Sequence, residues 1–357
     1  MMNPNDRTYD LQTLGLNATQ VRLLPAAIAN FTLRKEIIEH PKFTAAIREV
    51  ARIHQRGLQA GVAESLLLVG QTGSGKSTLL KFYVGQFPRT TVNGIVKTRV
   101  LLIWTPESPT VKEFAEAILI ALGDPAAYKG TAAAKTRRII HFLKECGVEL
   151  LLIDEFQHFF DGTRVAESRR ISDWLKSLIN AAGIPVVLAG LPRAIQVVNM
   201  NPQLRRRFGS PHYLEPFGFE TESDQREFRG VLKGIQQQLP MGSVDLSEAN
   251  MARRFYYASH GLFDYVVKVI DDAASRGGTG DGGRLTMADF AASFKRTVWS
   301  AAPDQLNPFT EKATLRLLRQ PLEPFDIWDD IAQYTTTAAS KARKDPGAQT
   351  ATSKRGS

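Results

Sequence analysis

Short apolar runs separated by amphipathic stretches organise this chain. Four runs, at 66–69, 100–104, 150–153 and 186–189, are continuous and rich in branched aliphatics, the pattern of strands buried on both faces of a parallel sheet. A shorter strand candidate follows at 212–214. Segments of helical period lie between them: 78–84 after the first run, 111–122 and 132–145 after the second, 171–182 after the third. This alternation predicts a parallel sheet with helices on both faces. Upstream, residues 1–64 read as a helical lead-in, since Phe43, Ala46, Ile47, Val50 and Ile53 recur at helical spacing beyond Pro41. From 221 to 274 the strand signal vanishes and helical periodicity takes over. The run GGTGDGG at 277–283 interrupts it, a further helical pattern spans 287–299, and Pro303, Pro308, Pro321 and Pro324 follow. The expected organisation is a lead-in at 1–64, an α/β core at 65–220, a helical region at 221–300 and an extension at 301–334. Beyond 335 the sequence is rich in Ala, Thr, Ser and Lys, with Lys341, Arg343, Lys344, Lys354 and Arg355 against Asp345, and a disordered basic tail is expected.

Two of the strand ends carry chemistry. After the first run the sequence continues Gly70, Gln71, Thr72, Gly73, Ser74, Gly75, Lys76, Ser77 and Thr78. This is the Walker A spacing, in which loop amides and a helix N-terminus wrap phosphates. Lys76 is expected on the β and γ phosphates of ATP and Ser77 on Mg²⁺. The third run ends in LLLIDE at 150–155, placing two acids at the edge of the sheet where the phosphate loop must sit. Asp154 is expected to hold Mg²⁺ and Glu155 to orient and polarise the attacking water, so hydrolysis is expected as well as binding. Further on, NPQLRRRF at 201–208 carries Arg205, Arg206 and Arg207 at a helix end. Arg207, with Arg206 as second choice, is the candidate to reach a neighbouring subunit's γ-phosphate, a role worth about 10³ to 10⁵ in rate. The alternative is a basic terminus favoured by the helix dipole.

Composition changes this picture at four points. With 357 residues, 43% of them hydrophobic, the chain can build a substantial core. No apolar run is long enough for a membrane helix and the polar start lacks a secretory layout, so no membrane partner and a cytoplasmic location are expected. One cysteine, Cys146, excludes an internal disulfide, and no zinc-type Cys/His spacing occurs. The net charge of +9 favours a polyanionic partner, because bound phosphates release counterions. Thr110, Lys112, Arg164, Arg169 and Arg170 are the candidates for DNA contact, against the alternative of a solvated charged face. His158 is either a site sensor or a packed loop histidine. The segment 321–328 either docks a partner or packs back.

The order GQTGSGKS, LLLIDE, QLRRRF and a helical region resembles an AAA+ ATPase. Across about 40–275, ALGDP at 121–125, LLIDEFQHFFDG at 151–162 and WLKSLINAAGIPVVLAGLPRA at 174–194 further resemble the TniB/TnsC family of transposition regulators. The resemblance implies an α/β P-loop AAA+ fold of three layers, a central parallel sheet of order 5-1-4-3-2 and a small helical lid. It also implies an ATP-dependent protein that forms homo-oligomeric rings or helical filaments on double-stranded DNA and recruits a transposase, often with a TniQ-type targeting protein. ATP hydrolysis would then disassemble the filament. A protein scaffold that never touches DNA and a replication-type loader are the alternatives. Two departures from the AAA+ pattern stand out. Ala189-Gly190-Leu191 offers no polar sensor at the fourth strand's end, and Asp264 stands where an arginine is expected three residues after Gly261. Slow, DNA-stimulated hydrolysis is the expectation that fits both.

Overall fold

The computed structural model describes residues 31–107, 109–159 and 165–326. The described residues divide into two compact units, one of 41–216 with 316–326 and the other of 31–40 with 217–315.

In the first unit, strands β1 (Ser65–Val69), β4 (Val100–Trp104), β5 (Leu150–Asp154), β6 (Val186–Gly190) and β7 (His212–Tyr213) form one sheet in the order β4-β5-β6-β1-β7. Every pairing is parallel. Numbered as five core strands in chain order, and read from the β7 edge, this is the expected 5-1-4-3-2. Helices α1 (Pro41–Ala60) and α2 (Lys76–Gly85) cover one face; α3 (Val111–Ala121), α4 (Ala132–Glu145) and α5 (Val165–Ala182) cover the other. Alternation along each strand builds both cores. Leu66 and Leu68 pack with Val50, Ile53 and Leu80, whereas Leu67 and Val69 pack with Phe114, Ile139 and Leu175. All ten residues are buried, and each such aliphatic removed from water contributes about 1.5–3 kcal/mol.

Two short features differ from the periodicity-based reading, a hairpin after α2 and the helix that directly follows β6. Strands β2 (Thr90–Val92) and β3 (Ile95–Lys97) form a separate antiparallel hairpin. Its turn residues Asn93 and Gly94 both have positive φ, 51° and 77°, as a two-residue type I′ turn requires. Helices α6 (Ala194–Asn199) and α7 (Pro202–Phe208) follow β6. Helix α7 begins because the Asn201 side chain accepts from the amides of Gln203 and Leu204, with Pro202 in its first turn.

The second unit holds α8 (Glu222–Gln238), α9 (Ala249–Ser259), α10 (Phe263–Ser275) and α11 (Met287–Thr297). Thr221 and Thr286 start α8 and α11 with capping boxes. Phe255, Phe290 and Phe309 form an edge-packed aromatic centre, with Phe255 4.8 Å from Phe309 and 5.1 Å from Phe290. The stretch before α1 is tied into this unit by Asp271, which accepts from the Leu33 amide at 2.6 Å and the Thr32 hydroxyl at 3.1 Å. The expected tail from 335 lies outside the described residues.

Candidate nucleotide site

The loop between β1 and α2 follows from its glycines. A Cβ on Gly70 would stand 2.5 Å from Ser74 Oγ and 2.6 Å from the Leu214 carbonyl oxygen, so only glycine lets the chain pass there. Gly75 adopts φ of 94° as the N-cap of α2, a conformation with little penalty for glycine alone. The loop therefore delivers Lys76, Ser77 and Thr78 on the first turn of a helix whose amides point back into the loop. Lys76 is buried, and its ammonium donates to the carbonyls of Gly70 and Gln71, each at 2.8 Å. Two of its three donors are used, leaving the third for an anion. Burial pulls the Lys76 pKa down to about 8, and the charges of Glu155 and Asp154 oppose that fall. An arriving phosphate would favour the charged lysine in the same way.

On the neighbouring side, β5 ends at Asp154, in register with Trp104 of β4. Thr105 fixes this strand end: its amide at 3.0 Å and its hydroxyl at 2.7 Å both donate to the Asp154 carbonyl. Asp154 is fully buried, and one carboxylate oxygen, Oδ1, accepts from the Glu155 amide at 2.8 Å. The other, Oδ2, is buried with no hydrogen-bond partner. Burial raises the Asp154 pKa, while the Ser77 hydroxyl and the Glu155 amide lower it. A carboxylate short of a partner, with a serine hydroxyl at hand, is a donor set suited to a hydrated Mg²⁺. Ser77 and Asp154 are the residues that would hold it, and the ion would neutralise phosphate charge. Among the described residues no group of three or more His, Cys, Asp or Glu side chains gathers as a metal centre.

Glu155 has φ of 56°, unusual for a residue with a Cβ and concentrated at functional sites. Its Oε2 accepts from the side-chain amide of Gln157. Gln157, buried within a 3₁₀ turn at Phe156–Phe159, accepts in turn from the Leu191 amide at 3.0 Å. The expectation that β6 ends without a polar side chain agrees with Ala189 and Gly190 closing the strand. Gln157 was not among the expected residues. The only sequence signal for it was one amide side chain within the apolar run FQHFF. His158, the residue singled out there, is half-buried on the same turn.

The other candidates fall elsewhere. Arg205, Arg206 and Arg207 are exposed on the last turn of α7, and Arg206 and Arg207 line a surface cleft with Glu49, Arg52 and Glu64. Lys112 is exposed on the first turn of α3. Thr110 spends its hydroxyl as that helix's cap, accepting from the Glu113 amide at 3.3 Å. Arg169 and Arg170 are exposed on α5, with Arg170 3.4 Å from Glu167. Arg164 lies outside the described residues. Asp264, on α10, pairs with Lys268 at 2.7 Å. In the segment 321–328, Phe325 is buried and Leu322 exposed, while residues 327 and 328 lie outside the described set.

Known proteins share this fold. The structure is similar to the ORC2 protein of Aeropyrum pernix in ADPNP-ADP complexes, with 16% identity over 78% of this chain and 72% of that one, TM-score 0.55. It is similar to the ORC1 protein of the same organism in complex with DNA, with 16% identity over 73% and 67%, TM-score 0.55. It also resembles a Walker-type ATPase of Pyrococcus abyssi, with 13% identity over 88% and 81%, TM-score 0.52. At these identities the likeness is one of fold, that of P-loop ATPases. Among curated protein sequences nothing matches. The family model described as bacterial TniB protein matches residues 29–218, more than half of the 357 residues and including the phosphate loop, Asp154, Glu155 and the arginines of α7. The chain belongs to the TniB family.

Proposed function

We propose that this protein is an AAA+ ATPase that binds ATP with Mg²⁺, assembles on double-stranded DNA and regulates transposition by handing the target to a transposase. The observation that carries the reading is the juxtaposition at the sheet edge. In a chain of the TniB family, a glycine-built phosphate loop with a buried lysine faces a buried aspartate with one unpartnered carboxylate oxygen and a glutamate in a left-handed conformation. Lys76 and the loop amides bind the phosphates, Ser77 and Asp154 hold the metal, and Glu155 orients water. Arg207, with Arg206 as the second choice, completes the site of an adjacent subunit in a ring or filament. The net charge of +9 and the exposed Lys112, Arg169 and Arg170 support contact with DNA phosphates, as a regulator accepting many sequences requires. A TniQ-type protein is the expected targeting partner. Hydrolysis, slow and stimulated by DNA, releases the assembly.

The test is a Glu155→Gln variant assayed with duplex DNA. It should bind ATP as the parent does, lose hydrolysis by about 10²- to 10⁴-fold, and remain on DNA after ATP addition in a sedimentation assay. Hydrolysis at the parental rate would remove Glu155 from this role. Failure of the parent to sediment with DNA at low salt, where phosphate contacts are strongest, would favour an ATP-switched protein scaffold.

A further inference from the structure

Among the described residues, Gln157 is the buried amide side chain that joins the strand end lacking a sensor to the proposed catalytic glutamate. Its two ends are chemically unambiguous. The Leu191 amide can only donate, so the Gln157 carbonyl oxygen faces it at 3.0 Å. A carboxylate oxygen accepts, so the Gln157 nitrogen faces Glu155 Oε2. The fit is close on the β6 side: a Cβ on Gly190 would stand 2.6 Å from the Gln157 carbonyl oxygen and 3.2 Å from its backbone nitrogen. Gln157 is 2% exposed, so water does not readily take over either bond, and breaking one leaves a buried polar group unpaired. The backbone below is equally fixed, since the His158 amide donates to the Glu155 carbonyl at 3.0 Å.

This bridge does not take Glu155 out of the site. Its charge still acts on Lys76 and on Asp154. A donor on Oε2 removes one carboxylate oxygen from competition and leaves Oε1 to accept a proton from water. The Leu191 amide begins the segment that leads from β6 into α6 and on to the arginines of α7. A movement of that segment therefore pulls on the carbonyl end of Gln157 and turns the carboxylate at the other end.

We propose that Gln157 is the positioning residue for Glu155, taking the part that a polar side chain at the end of β6 would otherwise play. It aims the carboxylate at the attacking water and couples that aim to the backbone at Leu191. The inference rests on the reading of Glu155 as the residue that orients water.

The test is a cycle of Glu155→Gln, Gln157→Leu and the double variant, with steady-state ATP hydrolysis and binding of a fluorescent ATP analogue measured for each. Gln157→Leu should lower kcat by about 10- to 100-fold, the range of a misplaced catalytic group, with KM and analogue affinity unchanged. In the Glu155→Gln background it should cost nothing further, because a residue acting only through Glu155 has nothing left to position. A second variant, Gln157→Glu, keeps the acceptor for Leu191 but donates to Glu155 only when protonated. Its kcat should recover as pH falls, giving an acid-side rise that the parent lacks. Unchanged kcat in Gln157→Leu, a loss that multiplies onto Glu155→Gln, or a Gln157→Glu pH profile that follows the parent would each overturn the proposal. Should Gln157→Leu fail to fold, the Gln157→Glu profile decides alone. Failure of the underlying reading looks different: Glu155→Gln itself would then hydrolyse ATP at the parental rate.

Discussion

At the scale of the residue, the site is held by positions where the backbone leaves no room for a side chain. Gly190 shows how this works. It closes β6, donates nothing from a side chain, and yet decides where Gln157 sits. A Gly190→Ala methyl would meet the Gln157 carbonyl oxygen at 2.6 Å and Ala194 Cβ at 3.2 Å. Both neighbours are pinned, the first by the Leu191 amide and the second by burial, so the contact cannot be relieved cheaply. The expected cost is about 1–3 kcal/mol, read as a lower midpoint in urea with an unchanged m-value. A midpoint equal to the parent's would show that the turn yields freely. The residues proposed to bind the nucleotide, its metal and the attacking water were legible because they follow a spacing: Gly70, Gly75, Lys76 and Ser77 at one strand end, Asp154 and Glu155 at another. Gln157 was not legible, because its role depends on contact with the end of β6, 34 residues away in sequence. Periodicity is blind to such a contact.

Among the elements, α1 and α2 meet over a polar pair buried in an otherwise apolar layer. His54 of α1 is 2% exposed, with Nδ1 3.0 Å from the Tyr83 hydroxyl of α2 and Nε2 3.1 Å from Glu149, just before β5. A carboxylate only accepts, so Nε2 carries the proton and Nδ1 accepts from Tyr83. The tyrosine keeps its proton, since burial pushes its pKa up to about 12. Burial lowers the His54 pKa below 6.5, although the Glu149 bond opposes it. The unfolded chain thus binds more protons than the folded one in the window below 6.5. Stability from this group is present above pH 6.5 and is lost as pH falls through the lower, folded value. Denaturation at pH 7 and pH 5 should show a loss for the parent that is smaller in His54→Gln. That variant should itself be weaker at pH 7 by about 1–3 kcal/mol, the cost of a disturbed buried pairing. An equal pH dependence in the two proteins would assign the acid sensitivity to other groups. Four strands of the main sheet, β1, β4, β5 and β6, were readable because burial leaves continuous apolar runs. The hairpin β2–β3 was not, since none of its six residues is buried; its only mark was the Asn93-Gly94 turn.

For the whole molecule, the exposed arginines of α7 decide whether one chain is a complete enzyme. None of Arg205, Arg206 and Arg207 forms an ion pair with another described residue, and a basic helix end gains only a fraction of a kcal/mol from the dipole when solvated. Such a cluster is suited to an anion supplied from outside the chain. If Arg207 serves the neighbour's nucleotide, subunit contacts are head-to-tail, and each site combines the phosphate loop of one chain with the arginine of the next. Two defects that are each silent in the other half of a site then complement. Lys76→Ala destroys the loop but leaves the arginine; Arg207→Ala destroys the arginine but leaves the loop. Each variant alone should be inactive, with Arg207→Ala lower than the parent by about 10³-fold or more while still binding ATP. In an equal mixture with random assembly, half the chains bring an intact loop and half bring an intact arginine. About a quarter of the interfaces are therefore whole, and about a quarter of the parental hydrolysis should return on DNA. A mixture as inactive as its components, though it co-assembles, would place the completing arginine in the same chain as the loop or on another residue. Repeating the mixture with Arg206→Ala in place of Arg207→Ala separates those two outcomes: complementation there would name Arg206 as the residue that reaches across.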